Sequence, residues 1–85
     1  MTFEGRRAIV TGAGSGIGQA VALHLLREEA RVTGVDINDR GLDPIRRAGG
    51  DAMVVDLADT EQRALVLGSA REDQVHYLVN AAAIL

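Results

Sequence analysis

The sequence predicts an α/β domain in which four parallel strands alternate with three helices, and three features predict it. β-Branched runs recur at Ala8-Ile9-Val10, Arg31 to Asp36, Ala52 to Val55 and Val75 to Val79. Apolar residues at helical spacing fill the gaps between them. A cluster of glycines joins the first run to the first helical pattern. The 85 residues have the size of one small domain.

After the strand at Ala8-Ile9-Val10, Ile17, Val21 and Leu25 recur every fourth residue, with Ala20 and Ala22 beside them. This spacing predicts a helix from about Ser15 to Glu29 with one apolar face. Asp39 to Arg47 can form a short second helix, in which Pro44 must lie in the first turn or bend it, stopped by Gly49-Gly50. Asp59 or Thr60 caps a third helix, which presents Ala64, Leu65, Leu67 and Gly68 as a small apolar surface and ends near Glu72-Asp73. The order β-α-β-α-β-α-β, with right-handed crossovers, implies a parallel sheet in strand order 3-2-1-4. All four strands read as buried, with two helices on one face and one on the other. That arrangement is the N-terminal half of a doubly wound fold, so the segment 1–85 is expected to be a fragment, or the resolved part, of a longer polypeptide.

Composition narrows the chemistry. All nine basic residues are arginine, scattered singly or in pairs, and the net charge is −3. No basic stripe exists to neutralise a phosphate backbone, and nucleic acid is not expected as a partner. The absence of cysteine excludes disulfides and fits a reducing cytosol. No apolar run approaches the ~20 residues of a membrane helix, and Met1 to Arg7 lacks the apolar core of a leader. A soluble, cytoplasmic protein without membrane partners is expected. His24 and His76 have no partner at ligand spacing, so no metal site is expected.

The glycines fall in Thr11-Gly12-Ala13-Gly14-Ser15-Gly16-Ile17-Gly18, directly after a strand and before a helix. Glycine permits a sharp turn and lets a pyrophosphate approach without a Cβ in the way, while the helix N-terminus offers free N–H groups to the anion. The plainer reading is that these glycines only make a tight βα loop. A mononucleotide P-loop is excluded, because it requires Gly-Lys-Ser/Thr and the chain has no lysine. The common Gly-x-Gly-x-x-Gly fingerprint fails as well, since Ile17 stands where its third glycine belongs. The spacing present is Gly12-x3-Gly16-x-Gly18.

Preceded by Thr11, that spacing resembles the Thr-Gly-x3-Gly-x-Gly signature of the short-chain dehydrogenase/reductase family. Asp36 at the end of strand two, Val55-Asp56-Leu57 after strand three and Asn80-Ala81-Ala82-Ala83 after strand four resemble three further landmarks of that family in the right order. The resemblance implies a Rossmann-type fold and NAD as cofactor. Gly12, Ser15, Gly16, Ile17 and Gly18 would line the pyrophosphate and adjoining ribose, with Thr11 structural. Asp36 would accept bonds from the adenosine ribose hydroxyls and repel the added phosphate of NADP, while Arg40 is the basic residue nearest to it in sequence. Asp56 and Leu57 would contact adenine, although Asp56 also reads as a helix cap. Asn80, Ala81 and Ala82 would border the nicotinamide ribose.

Two departures from the family pattern stand out. Ala82 replaces the glycine of Asn-Ala-Gly, and Glu29 stands where a glycine commonly leaves the first helix in a left-handed conformation, which would cost ~1–2 kcal/mol. The family's catalysis is similar to proton transfer by a tyrosine paired with a lysine four residues later. Tyr77, the only tyrosine, is followed at that spacing by Ala81, so Tyr77 reads as core packing, Ser69 as a helix-end serine, and no catalytic residue is assigned. The resemblance implies an NAD-dependent oxidoreductase acting on a secondary alcohol or ketone of the sugar, polyol, sugar acid or hydroxy acid class, dimeric or tetrameric when complete, with this segment inactive alone. The alternative is a non-catalytic dinucleotide-binding or interaction module.

Overall fold

The computed structural model describes residues 3–72 and 74–81. Strands β1 (Arg7–Thr11), β2 (Arg31–Asp36), β3 (Asp51–Val54) and β4 (Tyr77–Asn80) alternate with helices α1 (Gly16–Arg27), α2 (Asp43–Arg47) and α3 (Thr60–Glu72). Each pairing is parallel, and the order is β3-β2-β1-β4, as the alternation predicts. A 3-10 turn at Arg40–Leu42 leads into α2, so the helix expected from Asp39 is broken in two. Pro44 lies in the first turn of α2, where its missing N–H has no intrahelical partner to lose.

Side chains alternate across the sheet. Ala8, Val10 and Val32 face α1 and α2, meeting Ala22, Leu25, Leu42 and Ile45. Ile9 and Val35 face α3 and pack with Val55 and Val66. A helix of five residues is far below the ~12–15 at which an isolated helix becomes even marginal. Docking of the fully buried Leu42 and Ile45 holds it, at about 1.5–3 kcal/mol for each side chain.

Only the two central strands are buried. β1 is buried throughout and β2 from Val32 to Val35, whereas β3 and β4 are half exposed. An apolar run reads alike in a central and an edge strand, which is why all four were expected inside. Tyr77 is likewise not core. Lying on edge strand β4, it is 42% exposed and packs edge to face on Phe3 with ring centroids 5.7 Å apart. His24 is exposed on α1. His76 precedes β4, where its Nδ1 accepts the Arg7 N–H at 3.0 Å and its own N–H donates to the Arg7 carbonyl at 2.9 Å. Ser69 is half-buried within α3.

The contact stripes of two helices differ from the expected ones. In α1 the buried positions are Gly18, Ala22 and Leu25, while Ile17 is 79% exposed and Ala20 also faces outward. Gly18 takes the place of Ile17 because the helix start lies against the end of β1, and a Cβ at Gly18 would overlap the Gly12 carbonyl. In α3, Leu65 and Leu67 are 60% and 59% exposed, and Val66 is buried instead. Gln62 decides this. Its Oε1 accepts the Asp56 N–H at 2.6 Å, which turns Gln62 inward and brings Val66 and Ala70, one and two turns later, toward the sheet.

Helices α1 and α2 end alike. After α2, Gly49 N–H donates to Arg46 carbonyl at 3.1 Å and Gly50 N–H to Ile45 carbonyl at 2.9 Å; after α1, Glu29 N–H donates to Leu26 carbonyl and Ala30 N–H to Leu25 carbonyl, both at 3.0 Å. Both are Schellman closures that demand a left-handed residue. Gly49 supplies φ 93° and Glu29 supplies φ 71°.

Two stability predictions follow from these closures and contacts. Glu29→Gly relieves the left-handed strain at the cost of greater unfolded-state freedom, and should stabilise the fold by about 0.5–1 kcal/mol. Urea denaturation checks it through a higher midpoint at unchanged slope, and an unchanged or lower midpoint would contradict the strain. Gly18→Ala should destabilise by about 1–3 kcal/mol through overpacking against backbone. An unaltered midpoint would mean that α1 moves outward freely.

Candidate functional site

Strand register sets the layout. Thr11 lies level with Val35 on one side and Asn80 on the other, and Asp36 is level with Val54. The segments that leave the carboxyl ends of β1, β2, β3 and β4 therefore emerge in one row, beside the N-terminus of α1. Ligands of open parallel sheets bind at this edge.

The turn between β1 and α1 bends at Gly12, φ 68°, and at Gly16, φ 57°. Ala13 N–H continues the ladder to the Val35 carbonyl at 3.1 Å. Gly14 N–H instead donates to Asp36 Oδ2 at 2.8 Å, and Asn38 N–H donates to Oδ1 at 2.9 Å. Each carboxylate oxygen has two acceptor positions, so one on each remains after these bonds. Asp36 is thus oriented by backbone and still able to accept two hydroxyl donors.

Ser15 is the N-cap of α1, with extended backbone at φ −166° and ψ 168°, and its side chain makes no capping bond. The Ser15 side chain is exposed beside the helix N-terminus. Gln19 N–H to the Ser15 carbonyl, at 3.3 Å, opens the helical ladder. The N–H groups of Gly16, Ile17 and Gly18 precede it and lack intrahelical acceptors, at the positive end of the helix dipole. A Cβ at Gly16 would meet nothing within 4 Å, so the space before this turn is open. Open backbone donors beside an oriented carboxylate fit a dinucleotide, the pyrophosphate on the donors and a ribose diol on the acid.

The other expected residues border the same edge. Asp56 Oδ1 accepts the Ala58 N–H at 2.9 Å, while Asp59 Oδ1 accepts those of Glu61 at 2.8 Å and Gln62 at 3.2 Å. Asp59 is therefore the cap of α3, and the reading of Asp56 as that cap is set aside. Leu57 packs beside Val55 and Val66. Asn80 Oδ1 accepts the Thr11 hydroxyl at 2.9 Å, and Ala81 N–H reaches the Thr11 carbonyl at 3.3 Å. Thr11, buried, holds β4 to β1, the structural part expected of it. Ala82 lies outside the described residues.

Sequence reasoning missed four contributors: Gly14 and Asn38, which bond Asp36, and Gln19 and Gly41, which pack around Gly14. Gln19 Nε2 donates to the Gly41 carbonyl at 3.1 Å and lies 3.5 Å from that of Gly14. The glycine alternation could have singled out Gly14; nothing in spacing pointed to the other three. Of the arginines after β2, Arg46 is engaged by Asp39 and Asp43, whose hydrogen bonds raise its pKa further. Arg40 is exposed in the 3-10 turn. Among the described residues no three acidic or histidine side chains group to hold a metal, and no helix is long and apolar enough to cross a membrane.

Comparison with known proteins agrees with this geometry. A family model described as short chain dehydrogenase matches residues 6–85. The chain is 41% identical to D-erythrulose reductase of Gallus gallus and 43% identical to L-xylulose reductase of Bos taurus, each over 99% of this chain and 34% of the relative. It spans about a third of the length of these curated relatives. The crystal structure of ribose-5-phosphate isomerase from Brucella melitensis 16M superposes with a TM-score of 0.87 at 32% identity, over all of this chain and 35% of that one. With its strand order, its glycine spacing and a family match over nearly its whole length, the chain belongs to the short-chain dehydrogenase/reductase family.

Proposed function

We propose that the chain is the NAD-binding segment, residues 1–85, of an oxidoreductase that moves hydride between NAD and a secondary alcohol or ketone. The Asp36 carboxylate carries this reading: two backbone N–H groups orient it and leave an acceptor on each oxygen. Two ribose hydroxyls are two donors, equal in number to the acceptor positions that remain. A ribose bearing a phosphate of about −1.5 to −2 charge would instead meet a fixed negative group. Arg46 is already paired with two aspartates, so exposed Arg40 is the basic side chain near this edge that could offset the repulsion, and the NADPH titration below reads it.

The pyrophosphate then lies on the donors of Gly16, Ile17 and Gly18, with Gly12 turning the chain beneath it and the Ser15 hydroxyl beside it. Exposed Ile17 gains a cover in the bound cofactor. Asp56 and Leu57 flank adenine, and Asn80, Ala81 and Ala82 border the nicotinamide ribose. Bound NAD supplies the hydride acceptor; these residues bind and orient it. No lysine occurs in the chain, so a Tyr-x-x-x-Lys pair has to come from elsewhere in the polypeptide and the segment by itself binds without turnover. The sugar names of the two reductases, at 41% and 43% identity, favour a sugar or polyol among the substrate classes considered.

The test is titration of the polypeptide that carries this chain with NADH and NADPH, followed by nicotinamide fluorescence. NADH should bind more tightly. Asp36→Ala should weaken NADH by about 1.5–3 kcal/mol, the worth of hydrogen bonds to a charged group, while NADPH binding is kept or improved. An unchanged NADH to NADPH ratio would remove Asp36 as selector, and no binding of either cofactor would remove the function itself.

A further inference from the structure

The Gly14 peptide is held on both sides. Its N–H bonds Asp36 Oδ2 at 2.8 Å. Its carbonyl faces the loop after β2, where Gly41 comes so close that a Cβ there would overlap the Gly14 oxygen and lie 2.8 Å from Asn38 Nδ2. Gln19 Nε2, 3.1 Å from the Gly41 carbonyl and 3.5 Å from that of Gly14, bridges the two loops from helix α1. Asn38, in the same loop, holds the second Asp36 oxygen at 2.9 Å. The Gly14 bond to Oδ2 therefore lies in a unit that Gln19 clamps, while the Asn38 bond to Oδ1 is a local turn within the loop after β2.

Gly14 also leaves no room for a side chain on the Asp36 side. A Cβ at Gly14 would stand 2.7 Å from both Cγ and Oδ2 of Asp36. The two nearest atoms belong to the carboxylate, the far end of a rotatable side chain, while Asp36 Cβ, at 3.1 Å, has to give by a few tenths of an ångström. Alanine at this position is therefore accommodated mainly by turning the Asp36 carboxylate aside.

We propose that Gly14 is a specificity-determining residue, which by its N–H and its missing side chain holds Asp36 in the orientation that discriminates the adenosine ribose, with Gln19 as the positioning residue that keeps the two loops together. The proposal rests on the cofactor reading above. It locates selection in a geometry that the carboxylate alone does not supply.

A double-mutant cycle separates the two. Dissociation constants for NADH and NADPH are measured on the polypeptide carrying wild-type, Asp36→Ala, Gly14→Ala, Gln19→Leu and Gly14→Ala/Asp36→Ala sequences. Gly14→Ala should lower the preference for NADH roughly tenfold or more, the scale of one charge-assisted bond. In the Asp36→Ala background, where the group it displaces is gone, it should leave the ratio unaltered. Gln19→Leu should shift the ratio the same way and less. Equal weakening of both cofactors by Gly14→Ala, or an undiminished shift in the Asp36→Ala background, overturns the proposal while Asp36 remains the selector. If circular dichroism finds Gly14→Ala unfolded, Gln19→Leu decides, and an unchanged ratio there overturns it. Failure of Asp36→Ala itself to move the ratio is the distinct signature that the cofactor reading has failed.

Discussion

The approach of α1 to the end of β1, with Gly18 against the Gly12 carbonyl, is the constraint from which the rest of the site follows. A helix that close must begin where its strand stops, so its unpaired N–H groups open at the carboxyl edge of the sheet. Parallel pairing in register then brings the ends of β2 and β4 to the same level. A donor row, the Asp36 carboxylate and Asn80 share one edge because two glycines allow one backbone to touch another. The helix dipole, which favours an anion by about 0.3–1 kcal/mol at an exposed terminus, is incidental without that placement.

Packing and function make opposite demands on this turn. Burial favours an apolar stripe through Ile17, Val21 and Leu25, and the contact at Gly18 turns that stripe away, leaving Ile17 79% exposed. The helix loses the burial of one large side chain, worth about 1.5–3 kcal/mol. It gains an apolar group beside an open row of donors. Stability is recovered elsewhere, in the zero-exposure residues Ala8, Ile9, Val10, Val35, Leu42 and Ile45. The central strands carry the fold, and the loops at their ends are left without that packing role.

The alternation of strands and helices was legible because β-branched runs and period-four stripes are local, and strand order followed from the handedness of crossovers. Glu29 was legible through the family resemblance, which places a left-handed residue at that position, and its φ of 71° agrees. What escaped depended on long-range contact. Burial of Val66 over Leu65 and Leu67 hangs on one bond from Asp56 to Gln62, and exposure of Tyr77 on β4 having a single neighbour, β1, in the sheet. In the site, motif positions were visible from spacing, whereas the bonds of Gly14 to Asp36 and of Gln19 to Gly41 each join residues 22 apart and no motif marks them.

The same contacts bear on the carboxylate at the end of strand two. An exposed aspartate samples several rotamers, and each offers different acceptors to a ribose. Bonds from Gly14 and Asn38 fix one rotamer, and the two remaining acceptor positions then present a defined pair of directions. Discrimination by hydrogen bonding is strong where the polar group is held in place before the ligand arrives, since a ligand lacking the matching donor leaves that group unpaired. Neither bond comes from a residue with a recognisable functional side chain, since one donor is a glycine amide and the other is the amide of Asn38. The orientation of the Asp36 carboxylate in this segment is thus set by backbone donors.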